Sequence, residues 1–159
     1  SAAGWLSQHC QKFPLLESRF SVRDAGTFRY HAHNKTWEHV TRALYGPLIV
    51  YNPLVQGNSQ DVLIVADDWL LDKNKQIDSN SFCNLGHWSH GGRLNNALSI
   101  SGVFGPSIPI PSSATTKLRF INAVNARVLR FALEGKHQMR VVSVDGSPCE
   151  RFITNEITL

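Results

Sequence analysis

His31 and His33 stand two residues apart at the end of the run Gly26-Thr27-Phe28-Arg29-Tyr30-His31-Ala32-His33. Phe28, Tyr30 and Ala32 alternate there with Thr27, Arg29, His31 and His33, and a strand sends alternate side chains to opposite faces. Both imidazoles therefore leave one face, opposite the apolar residues, which makes them poor core residues. Neutral imidazole is the commonest protein metal ligand and suits copper, zinc, iron and nickel, so the spacing points to a metal without choosing one. The same spacing also fits two solvated or hydrogen-bonded histidines at a strand end.

The other reactive residues read as structural. His87 and His90 lie three apart in a glycine-bearing loop and are expected to hydrogen-bond that turn. His39 is expected on the surface of a short helix and His137 in a solvated turn. Trp69 and Trp88 read as packing residues, and Asp67 with Asp68 as a solvated acidic pair at a strand end. Cys10, Cys83 and Cys149 are far apart and show no Cys-x-x-Cys spacing, so neither a zinc knuckle nor a redox pair is supported and their pairing stays open. No Ser/His/Asp order, phosphate-cradling glycine loop or thiol nucleophile competes with the histidine pair.

The elements that must position that pair are short strands. A strand over 17–22 turns at Asp24-Ala25-Gly26 and is expected to form a hairpin with the histidine strand. Thr36 is placed to cap a short helix in which Trp37, Val40 and Leu44 fall at helical spacing, ending by Gly46-Pro47. A strand over 48–51 follows, and the polar stretch 54–60 marks a boundary. Beyond it strands are expected over 61–71, 97–101, 116–123, 128–134 and 139–144, the last turning at Asp145-Gly146, with 72–84 a polar loop. Little helix and many Gly, Pro and Asn turns argue for antiparallel β-sandwiches.

The 159 residues, 42% hydrophobic and 18% charged, are enough to bury a core. A net charge of +4 would suit nucleic acid, but the 16 Lys and Arg are spread along the chain without a basic run, so no nucleic-acid role is expected. No apolar stretch reaches the length of a membrane span. Ser1 to Trp5 show no charged head before an apolar core, so no signal peptide is expected there.

Gly26 to His33, followed by Arg42-Ala43-Leu44-Tyr45-Gly46-Pro47-Leu48-Ile49-Val50, resembles the second His-x-His block of the multicopper oxidases, the laccase and copper-efflux oxidase family. Ser7-Gln8-His9-Cys10, Ser89-His90-Gly91-Gly92-Arg93-Leu94-Asn95, Leu118 to Ala123 and Val144 to Pro148 resemble further segments of these enzymes in the right order. The resemblance implies an all-β fold of cupredoxin-like Greek-key β-sandwiches, incomplete at both ends. Residues 1–53 would end a first cupredoxin domain, and 54–159 would form most of a second.

It further implies that His31 and His33 ligate a type 3 copper pair. In the family that pair belongs to a trinuclear cluster that reduces O2 to water with electrons drawn from phenols, aromatic amines or Cu(I). The complementary His-x-His-Gly, His-x-x-His-x-His and His-Cys-His blocks are not in this sequence, so the remaining cupredoxin domains would supply them and the chain alone is expected to be inactive. A periplasmic or extracellular location is implied as well. Three departures stand out: Arg29 occupies a position that is commonly aromatic, Ala43 one that is commonly glycine, read as tolerable in a short helix, and Cys10 one that is disulfide-bonded in some laccases, its partner here left open between Cys83 and Cys149. Arg29 and the missing ligand blocks keep open a copper-less cupredoxin scaffold or binding protein, and a third possibility is a mononuclear copper or zinc binder completed by outside ligands.

Overall fold

The computed structural model describes residues 19–52, 54, 60–88, 92–110, 112 and 115–159. Strand β1 (Gly26–His31) pairs antiparallel with β2 (Tyr45–Val50), in a register that sets Gly26 opposite Val50, Arg29 opposite Pro47 and His31 opposite Tyr45. The hairpin partner of the histidine strand is thus the following strand. Among the described residues, 19–25 form no strand, and Phe20 and Val22 are exposed.

Between the two strands lies α1 (Thr36–His39), a single turn. Lys35, at φ 44°, precedes it in the left-handed region, and the cap is Lys35 where the sequence favoured Thr36. The Thr36 hydroxyl instead donates to the Ala32 carbonyl at 3.1 Å. The helix does not continue to Leu44, which is exposed, because Ala43 has φ 64° and ends it. A Cβ in that conformation crowds the neighbouring carbonyl. Ala43 is therefore strained in a helix stop, where glycine would sit freely.

The larger unit is organised by β3 (Gln60–Trp69), flanked by β4 (Ala97–Ile100) and β5 (Thr116–Asn122) in the order β4-β3-β5. β3 and β4 run antiparallel, but β3 and β5 are parallel, from Gln60 opposite Thr116 to Ala66 opposite Asn122. This departs from the all-antiparallel expectation. A parallel neighbour needs a long crossover, and residues 70–115 supply one, carrying a 3-10 helix (Ser79–Cys83), α2 (Leu85–Trp88) and β4 itself. The stretch expected as a polar loop thus holds structure, with Phe82 and Ser81 buried. Ala66, Ile121 and Ala123 form the centre of the core on β3 and β5.

β6 (Arg130–Ala132) pairs with β9 (Glu156–Thr158), and β7 (Met139–Val144) with β8 (Ser147–Thr154). The β7–β8 turn falls at Asp145-Gly146 as expected, with both residues at positive φ, which suits the twist of a tight hairpin. β8 and β9 were not foreseen. The exposed faces of β8, which include Glu150 and Arg151, leave no clear alternation to read. Among the described residues no helix is long and apolar enough to cross a membrane.

Ala43→Gly is expected to raise stability by about 1 kcal/mol, or roughly 3 °C in midpoint, because it relieves the left-handed strain. Urea and thermal melts measure this; an unchanged or lowered midpoint would contradict the strain.

Candidate metal centre

His31 closes β1 and His33 lies two residues beyond it, at the mouth of the hairpin where α1 begins. Their rings stack with centroids 4.8 Å apart and planes 22° from parallel. His31 is half-buried and His33 exposed. His31 Nδ1 lies 3.1 Å from the Ala32 carbonyl oxygen, which can only accept, so the neutral ring carries its proton on Nδ1. That leaves the Nε2 lone pair available to a ligand-binding partner. The Ala32 amide in turn donates to the Leu44 carbonyl at 3.1 Å, extending the hairpin to the base of the pair.

The face of the hairpin that carries His31 is also the face that docks on the β3–β5 sheet. Directly opposed residues of an antiparallel pair share a face, so Thr27, Arg29, His31, Tyr45 and Pro47 lie together. Arg119 of β5 donates to Thr27 Oγ1 at 2.6 Å and holds Asp61 with two bonds of 2.9 and 2.8 Å. Arg29 Nη1 donates to the Asn122 carbonyl at 3.1 Å. The Tyr45 hydroxyl donates to Asp67 Oδ2. These polar contacts tie the histidine hairpin to its neighbour.

Asp67 and Asp68 overturn the expectation of a solvated pair: they are 5% and 3% exposed. Asp68 accepts from Asn95 Nδ2 at 2.8 Å, from the Asn125 amide at 3.2 Å and from Arg127 Nε at 3.3 Å. Its charge is answered on every side. Asp67 has less help, and burial pushes its carboxyl up to about 6, against the pull of the Tyr45 hydroxyl, the Asp68 amide and the Arg29 charge. Tyr45 is pushed well above the usual phenol range by burial and by that carboxylate, so it stays a neutral donor. Arg29, the departure noted on the histidine face, is thus close enough to Asp67 to stabilise its charge.

The remaining candidates sort plainly. His87 lies in α2 rather than in the expected loop, with Nδ1 facing the Ser81 carbonyl of the preceding 3-10 helix at 3.2 Å, while His90 lies outside the described residues. His137 is exposed as expected, but His39 is half-buried rather than on the surface. Trp69 packs as expected and adds a hydrogen bond to Ser99 Oγ at 2.8 Å. Cys149 is a free thiol, and Cys10 lies outside the described residues.

Among the described residues no group of three or more His, Cys, Asp or Glu gathers to hold a metal. The pair His31 and His33 fits copper in ligand type, with two adjacent ring nitrogens and no competing core role, but two donors do not close a site.

Residues 60–159 match the family model for multicopper oxidase, and the chain belongs to that family. It is 24% identical to Laccase-2 of Cryptococcus neoformans var. grubii over 89% of its own length and 27% of that protein's. It is 25% identical to the iron transport multicopper oxidase fetC of Epichloe festucae, covering 80% of this chain and 20% of the relative. A crystal structure of a multicopper oxidase from Pseudomonas thermotolerans superposes with a TM-score of 0.77 at 25% identity, over 86% of this chain and 33% of that one. Lac15 from a marine microbial metagenome superposes with a TM-score of 0.59 at 31% identity, over 86% of this chain and 32% of its own. The fold is accordingly all-β and cupredoxin-like, and the chain spans about a third or less of the relatives it matches.

Asp67 generates a pH prediction. The folded state holds its proton up to about pH 6 and the unfolded state releases it near 3.8, so stability falls as pH rises across that window. The loss attributable to this carboxyl is about 3 kcal/mol at neutral pH. Asp67→Asn should flatten that part of the profile, raising stability relative to the parent more at pH 7 than at pH 4. Urea melts at the two pH values decide it; parallel profiles would refute the assignment.

Proposed function

We propose that the protein carrying this chain is a copper oxidase that couples one-electron oxidation of a reducing substrate to the four-electron reduction of O2 to water. Phenols, aromatic amines and Cu(I) are the candidate reductants. His31 and His33 are the ligands this chain contributes, one to each copper of a type 3 pair. Membership of the multicopper oxidase family and the stacked imidazoles at the hairpin mouth support this reading. When bound, the copper would supply the one-electron redox chemistry that no side chain here provides. The chain's own part is positional. The Ala32 carbonyl fixes the His31 tautomer, the hairpin ladder fixes the ring's height, and Arg119, Arg29 and Tyr45 fix the hairpin against the sheet.

Residues 1–53 and 54–159 are proposed as parts of two successive cupredoxin domains, with the other ligand blocks on further domains of the same polypeptide. By the same reading the isolated chain turns over no substrate, and the whole protein works in the periplasm or outside the cell. The scaffold alternative draws on Arg29 beside the ligands and on the ligand blocks that this sequence lacks. Arg29 donates to the Asn122 carbonyl, and its charge favours the ionised form of Asp67, so a carboxylate lies in its field.

In the whole protein, His31→Ala or His33→Ala is expected to lower O2 uptake with a phenolic reductant by more than about a hundredfold and to reduce bound copper. Oxygen electrode traces and metal analysis on the same samples measure both. Full copper content and full activity in both variants would remove these residues from the site, and a wild-type protein without copper would select the scaffold.

A further inference from the structure

Tyr45 is half-buried on β2, opposite His31 in the hairpin register, and its hydroxyl donates to Asp67 Oδ2. A phenol that loses one electron becomes a strong acid, so its oxidation is favoured where a base stands within hydrogen-bond reach to take the proton. Asp67 is such a base. It is 5% exposed, and with a carboxyl pushed up to about 6 it is ionised at neutral pH yet holds a proton more firmly than a surface carboxylate. Arg29 on β1 favours its charge, while the neighbouring Asp68 carboxylate opposes it and is itself paired with Arg127. The Asp68 amide donates to Asp67 Oδ1 at 2.8 Å, and Oδ2 is left to Tyr45.

The other two tyrosines stand differently. Tyr30 and Tyr51 are 60% and 67% exposed, facing water, a far weaker base than a carboxylate. The Arg119 guanidinium, 5.5 Å from the centre of the Tyr51 ring, also disfavours removing an electron there. The Trp69 indole donates to Ser99 Oγ, a hydroxyl that does not retain a second proton near neutral pH.

We propose that Tyr45 and Asp67 form a redox-active pair, in which a one-electron oxidant removes an electron from the phenol, the O–H bond breaks, and the proton passes to Asp67 Oδ2. The products are a neutral tyrosyl radical and a neutral carboxylic acid, and one electron returned to the radical sends the proton back. The oxidant is by class an oxidised transition-metal ion. Because Tyr45 lies across the ladder from His31, the pair stands beside the residue proposed to hold copper, where it stores one electron and one proton. That role rests on the oxidase reading, whereas the redox property of the pair does not.

The test uses the whole protein, free of copper, with photogenerated tris(bipyridine)ruthenium(III) as the one-electron oxidant and freeze-quench electron paramagnetic resonance as the readout. The wild type should give a neutral tyrosyl radical with a component that Tyr45→Phe lacks. Asp67→Asn keeps an oxygen acceptor for the phenol but cannot take its proton, and should lower the yield of that component by roughly tenfold or more. A further check needs no variant at Asp67. At pH 5 about a tenth of Asp67 remains ionised, so the Tyr45 component should fall roughly tenfold from its yield at pH 8. Identical spectra from wild type and Tyr45→Phe, an undiminished component in Asp67→Asn, or equal yields at the two pH values would overturn the proposal. A protein that passes these measurements yet binds no copper keeps the pair and loses the oxidase, while a working oxidase whose Tyr45 gives no radical keeps the oxidase and loses the pair.

Discussion

The hydrogen bond from the Tyr45 hydroxyl to Asp67 is the contact on which the arrangement of the histidine hairpin turns. Tyr45 sits directly across from His31, so whatever anchors one fixes the height of the other. Asp67 is held at the end of β3, and its burial is sustained only because a phenol and a backbone amide serve its oxygens. Orientation here comes from directional contacts, which specify one geometry more sharply than apolar packing does.

The second anchor follows the same logic from the other edge. Arg119 reaches from β5 to Thr27 at the start of β1 while its fork engages Asp61. Its guanidinium also lies 5.5 Å from the centre of the Tyr51 ring, just past the end of β2. A planar fork with five donors can serve a carboxylate, a hydroxyl and an aromatic face at once, which a lysine in its place would not. The hairpin is thereby held at both ends, and His31 stands on the strand itself, with His33 just beyond it.

Much of this was legible in the sequence, and what was missed has physical causes. The alternation around Tyr30 and His31 gave the strand and the shared face, and Asp145-Gly146 gave its hairpin, because both depend on neighbours in sequence. The parallel partnership of β3 and β5 depends on residues more than fifty positions apart, which local patterning does not encode. Asp67 and Asp68 were misread for the same reason. A carboxylate pair at a strand end looks solvated until Tyr45, Asn95 and Arg127 arrive from elsewhere. Ala43 was placed in a helix because nothing local announces a left-handed alanine. Ser81 and Phe82 lie in a stretch that reads as a polar loop, and their burial depends on Arg93 and Trp37 arriving from elsewhere.

The parallel pairing of β3 with β5 also sets an order of events for the newborn chain. The β1–β2 hairpin closes a short loop and can form as soon as it leaves the ribosome, while β3 must wait for the whole crossover before its second neighbour exists. Until then one edge of the longest strand is bare, with Val62 to Val65 unpaired on that side. Gln60 and Asp61 at its start, the latter charged, act as gatekeepers against pairing with a stranger during that interval.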